Sequence, residues 1–348
     1  MRSGYSGPVD VAVIGAGIVG LSTAYALVER GASVAVYERG VPGNGQSGGE
    51  SRIFRHAHDD PRLVALARES RAGWSDWEQH FGVELVSGDG SVLLGPAVER
   101  RLAIVRDAGV SAHAIDATEL AERLPVLARW PGPAMIDEDG GVIRTSAAIE
   151  ALASALGDRV VRDDVIAVQP SGEVRTGGRA IAHDRVVVCA GRGTPELALG
   201  AGLALPVHEA AHVRLTYELR GDPPAQLACL QDGDGGYGDP LPGNRRYAVG
   251  LEVVDPSELA ASTDRTNAYV ARMLPGLSDA PVESRHCWVT ELPWSTDAIA
   301  AWERDRVLFV AGNNLFKHAP ALGRALAAAA LGDGLRPDLN PQARLGRH

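Results

Sequence analysis

Three glycines stand in a G-x-G-x-x-G arrangement, Gly15-Ala16-Gly17-Ile18-Val19-Gly20, and Glu38 follows 23 residues after Gly15. Where a buried strand turns into a helix, such glycines serve three ends. The first permits the tight turn, the second lets backbone amides approach a pyrophosphate, and the third lets helix pack on strand. A carboxylate closing the next strand then accepts from ribose hydroxyls. Its negative charge favours an unphosphorylated ribose, so the spacing predicts FAD or NAD and not NADP. Arg52 and Arg55, in the glycine-rich stretch 47–58, are three residues apart. On a helix both would face one way and could meet a carboxylate, a phosphate or the charge of a reduced flavin; otherwise they are two solvated arginines. Lys317 is the single lysine beside 33 arginines.

Apolar residues 9–14 read as a strand buried on both faces. Leu21, Tyr25 and Val28 mark a helix that Gly31 stops, and residues 33–37 form a second strand ending at Glu38. Residues 185–191, after an alternating segment 165–168, repeat the strand-then-Ala-Gly pattern, and 306–312 repeat it again. A nucleotide domain assembled from separated segments follows.

The 348 residues suggest two domains, and 45% hydrophobic with 22% charged residues is a globular balance. A net charge of -10 lacks the counterion-releasing surface of a nucleic-acid binder. Cys189, Cys229 and Cys287 are too scattered for a disulfide framework or a zinc site, which points to a reducing, cytoplasmic compartment. Met1-Arg2 leads into no secretory pattern, and the alanine-rich 325–331 is too short to span a membrane. No metal-ligand spacing and no Gly-Lys-Ser loop is present in the sequence, so no metal is expected.

Taken together, residues 15–20, Glu38, the Gly49-Glu50-Ser51-Arg52-Ile53-Phe54-Arg55-His56 segment, Cys287-Trp288-Val289-Thr290 and Phe316-Lys317 resemble monomeric sarcosine oxidase and N-methyltryptophan oxidase, D-amino-acid-oxidase-like flavoproteins. Leu274-Pro275-Gly276-Leu277 and the tail Asp338-Leu339-Asn340-Pro341 extend the likeness across nearly the whole chain. It implies an FAD enzyme that oxidises a carbon–nitrogen bond of a small amine or amino acid to an imine. The α/β fold implied is a discontinuous Rossmann-like FAD domain (1–88, 140–205, 296–348) with an α+β, mixed-sheet substrate domain (89–139, 206–295). By the same likeness Cys287 bonds the flavin covalently, Arg55 and Lys317 hold a substrate carboxylate, and Arg52 lies close to the flavin. Cofactor-binding positions would be Gly15, Gly17, Gly20, Glu38, Arg39, Ser51, Arg52, Val165, Ala190, Gly191, Cys287, Gly312, Asn314, Phe316 and Lys317.

Departures qualify that carry-over. Ala248 stands where sarcosine oxidases place an oxygen-activating lysine, so oxygen use should be slow unless Arg245 or Arg246 substitutes. Glu252 replaces an active-site histidine, as an ammonium receptor, a base or a solvated strand residue. Val289 replaces a tyrosine, and the 312–317 loop is short. The pocket expected is a specialised one, in a monomer of secondary metabolism. Three rivals remain: an FAD dehydrogenase using an acceptor other than oxygen, an NAD dehydrogenase, and a flavin scaffold without turnover. His208, His212, Glu209, Cys189 and Cys229 read as structural or surface groups.

Overall fold

A computed structural model describes residues 8–233 and 235–347. The chain forms two compact units, each discontinuous: 1–47 with 149–208 and 290–347, and 48–148 with 209–289.

In the first unit, strand Asp10–Ile14 runs parallel to Ser33–Glu38 on one side and to Arg185–Val188 on the other. Val160–Arg162 extends the sheet beyond Glu38, while Val307–Gly312 and then antiparallel Ile299–Arg304 complete six strands. Val11, Ala12, Val13 and Val186 to Val188 are wholly buried, as a sheet covered on both faces requires. Helix Ile18–Glu29 lies against Ala319–Ala330. The crossing is close because residue 323 is glycine: a β-carbon there would lie 2.6 Å from the Ser22 carbonyl carbon. Val165–Val168, Glu173–Thr176 and Ala180–Ala182 form a separate three-stranded antiparallel sheet.

The second unit is built on an eight-stranded mixed sheet. Its spatial order is Glu283–Glu291, His208–Glu218, Arg246–Gly250, Tyr237–Pro240, Cys229–Asp232, Ser91–Leu94, Ala134–Asp137 and Ala112–Ala114. Alternation along these strands divides the faces. Val213, Leu215, Tyr217, Leu230, Tyr247 and Val249 enter an apolar core beneath helix Leu259–Met273. Their neighbours, which include His212, Arg214, Gln231, Asp239 and Ala248, therefore point to the other face. A ribbon of Ser51–Phe54 and Gly141–Arg144 is tied to that face, for Arg214 donates to Ser51.

Segment 48–88 thus joins the second unit, whereas the sequence reading extended the nucleotide domain to residue 88. The reason is packing: Val64 of helix Pro61–Phe81 shares a core with Leu93, Leu102, Val105 and Met135. No helix of the described residues is long and apolar enough to cross a membrane.

Candidate functional site

The nucleotide motif takes its expected shape. Gly15 has φ +99°, open to glycine but strained for other residues, and helix Ile18–Glu29 begins at Gly17 with no side-chain cap. An uncapped helix N-terminus beside a glycine turn suits an anionic phosphate. Glu38 accepts from the amides of Ala16 and Gly40, each at 2.8 Å, which fixes its carboxylate beside the turn. Ser47, which the sequence reading passed over, accepts from the Ile18 amide at 3.0 Å.

The remaining expected positions of this unit spread over its strands and the loops that follow them. Arg39 is exposed and Val165 half-buried. Ala190 and Gly191 follow strand Arg185–Val188, and Gly191 has φ +56° with Gln46 against it. Gly312 closes its strand with φ +148°, and its carbonyl accepts from Thr290 Oγ1. Asn314 is left-handed, and Phe316 and Lys317 are buried in the short 3-10 helix Leu315–His318. Cys189 is raised to about 12 by burial, which leaves a thiol without nucleophilic character.

In the second unit the arginines do not sit on a helix. Ser51–Phe54 is a strand, so Arg52 and Arg55 diverge. Arg52 donates to the carbonyls of Ser51 (2.8 Å) and Gly48 (2.6 Å), whereas Arg55 donates to the Ala57 carbonyl and lies 3.5 Å from His58 Nδ1.

Around Arg52 lies a cluster that the sequence reading did not single out. Arg214 donates through Nη1 to the Ser51 carbonyl (2.8 Å), and through Nη2 to Ser51 Oγ and Asp239 Oδ2 (both 2.6 Å). Asp239 is fully buried, and its Oδ1 has no hydrogen-bond partner among the described residues. The hydroxyl of Tyr237, over Gly250, has none either. Burial and the Arg214 charge push Arg52 below its ordinary value. Burial works against the Arg214 charge too, but Asp239, Tyr237 and Cys287 together raise its pKa. Desolvation, then Arg52 and Arg214, pulls His212 down to about 3, so this ring is neutral at physiological pH. Alternation in His212-Val213-Arg214-Leu215-Thr216-Tyr217 puts Val213, Leu215 and Tyr217 on the core face and Arg214 on the opposite one; that the opposite face is also covered, so that Arg214 needs an anion, is not visible in the sequence.

Cys287 is half-buried on strand Glu283–Glu291, two residues from Arg285 and so on the same strand face. Glu252, expected as an ammonium receptor, a base or a solvated strand residue, is exposed just beyond Arg246–Gly250, 3.7 Å from Arg265. Chain leaves the sheet at Gly250, which frees that carboxylate to solvent. Arg246 pairs at 3.3 Å with Glu50.

A family model described as FAD dependent oxidoreductase matches residues 10–329. The chain belongs to that family. Its nucleotide half fits the cofactor: a strained glycine turn, an uncapped helix end and a fixed acidic residue stand where a dinucleotide is held. Among curated relatives, the mouse peroxisomal sarcosine oxidase is 29% identical over 211 residues, covering 57% of this chain and 54% of that protein. A probable sarcosine oxidase of Arabidopsis thaliana is 25% identical over 93% of this chain and 88% of its own length. Among solved structures, NikD, titled an unusual amino acid oxidase essential for nikkomycin biosynthesis, superposes with TM-score 0.82 at 22% identity over 97% of each chain. Glycine oxidase from Geobacillus kaustophilus gives 0.80 at 22% identity, over 98% of this chain and 99% of that one. At such identities these two show the shared fold.

Proposed function

We propose that this FAD-dependent oxidoreductase oxidises a carbon–nitrogen bond of a small amine or amino acid, releasing an imine. The carrying observation is the half-buried Arg52 and the buried Arg214 grouped with Tyr237, Asp239 and Cys287 over one face of the second unit's sheet. Oxidation of amines and amino acids is also named for several relatives.

FAD, when bound, supplies the hydride acceptor, and the protein's task is to bind, orient and exclude water. Arg55 and Lys317 are assigned to the substrate carboxylate, an arrangement of fork and ammonium suited to that anion. His212, held neutral, adds no charge to compete for it. Cys287 is assigned to a covalent flavin link, supported by its place beside Arg52 and, two residues along its own strand, Arg285. The reading extends to a cytoplasmic monomer of specialised metabolism, with three unpaired cysteines supporting a reducing compartment.

A dye-linked assay tests the reaction: amines, imino acids and amino acids are supplied with an artificial acceptor, and the imine or its carbonyl hydrolysis product is trapped. Product from at least one class is expected; none from any class rejects the reading.

One observation favours an acceptor other than oxygen. Ala248 pairs with Asp239 on one side and Thr216 on the other, neither of them a cation, and Arg246 is engaged with Glu50. Reduced protein mixed with air should reoxidise slowly, over minutes; reoxidation within seconds contradicts this.

A further inference from the structure

Asp239 is held by an incomplete pairing. A guanidinium and a carboxylate can join through two parallel hydrogen bonds, but Arg214 Nη1 is committed to the Ser51 carbonyl, and Nη2 divides between Ser51 Oγ and Asp239 Oδ2. Ser51 thus shares the guanidinium with Asp239 Oδ2. The second carboxylate oxygen is left fully buried with no hydrogen-bond partner among the described residues. Folds rarely tolerate this, because a buried acceptor has lost its water and gained nothing in exchange.

Tyr237, two residues along the same strand and hence on the same face, repeats the pattern with its hydroxyl. Its ring lies over Gly250, where a β-carbon would come within 2.3 Å of the hydroxyl. The glycine therefore makes room for the ring between its own strand and that of Arg214. Between Asp239 and Tyr237 the face offers one unmet acceptor and one unmet hydroxyl.

The charge around them limits what they can receive. Arg52 and Arg214 outnumber Asp239, and His212 is neutral, so the cluster carries net positive charge. A second cation would be repelled, whereas an uncharged N–H group answers the acceptor without that penalty.

We infer that Asp239 is a specificity-determining residue whose free carboxylate oxygen accepts from an uncharged N–H donor on the substrate, an amine, amide or ring N–H. This rests on the amine-oxidation reading and deepens it. Ser51 and Arg214 are positioning residues, acting only through the carboxylate.

The test uses the flavin-loaded protein and two carboxylate ligands of equal shape, pyrrole-2-carboxylate, which has a ring N–H, and furan-2-carboxylate, which has an oxygen there. Affinities are read from perturbation of flavin absorption. The pyrrole acid should bind about tenfold or more tightly, and the preference should fall to within about threefold in Asp239→Asn. Should that variant lose flavin, the double variant Arg214→Gln/Asp239→Asn keeps a neutral hydrogen-bonded pair and should show the same collapse. Equal affinities in the wild-type protein, binding of neither acid, or an undiminished preference in a flavin-retaining variant each overturn the inference. Reduction of the flavin by amines is measured separately, so loss of the Asp239 assignment is distinguishable from loss of the amine-oxidation reading.

Discussion

A β-carbon built on Gly20 would lie 1.9 Å from the carbonyl oxygen of Gly15. Real side chains do not approach backbone so closely, so the third glycine of the motif is required by the contact between helix and turn rather than by its own φ. Gly20→Ala must push the helix away, at a cost of about 1–3 kcal/mol, and displace the amides that face a pyrophosphate. The ratio of flavin to protein absorbance in the purified variant should fall well below that of the wild type. Gly178→Ala, where the added carbon meets nothing within 4 Å and the backbone is not in the left-handed region, should keep its flavin.

Cys287 sits in a cationic neighbourhood on an ordered strand. Acid precipitation of the wild-type protein should carry the yellow colour into the pellet, whereas Cys287→Ser should release it. Colour released entirely into the wild-type supernatant excludes the thioether.

Lys317 is 4% exposed, so its ammonium has been brought out of water to a fixed place. Lys317→Met keeps the length and apolar stem and deletes the charge. Affinity for a carboxylate ligand, read by flavin absorbance, should weaken about tenfold or more. Unchanged affinity removes Lys317 from the carboxylate site.

His212 links the cluster to acid stability. Its folded-state value of about 3 lies below the ordinary 6.5, so between these values the unfolded chain holds a proton that the folded chain does not. Stability contributed by the neutral ring is therefore complete above 6.5 and lost as pH falls toward 3. From pH 7 to pH 5 the loss is about 2 kcal/mol. Urea unfolding at both pH values should show that His212→Asn loses less stability over the interval than the wild type; equal losses contradict the assignment.

Much of the first unit was legible because its information is local. A buried strand, a glycine turn, a periodic helix and an acidic terminus follow one another within residues 10–38, and Asp10–Ile14, Ile18–Glu29 and Ser33–Glu38 form where that order predicts. What lay beyond reach was register. Arg214 meets Ser51, 163 positions away, and Asp239, 25 positions away, and such neighbours arise from strand pairing and a covering ribbon. Arg52 and Arg55 were weighed at helical spacing, which a strand voids, and Glu252 was carried over by position although the strand ends at Gly250.

The central claim, that flavin bound to this chain takes electrons from a carbon–nitrogen bond, is tested most directly without oxygen. The flavin-loaded protein is mixed anaerobically with amines, imino acids and amino acids while the oxidised flavin band is followed. Bleaching by at least one compound, with a carbonyl or imine product in proportion, is the predicted result. A flavin that stays oxidised with every member of the panel, although dithionite reduces it, would contradict the account.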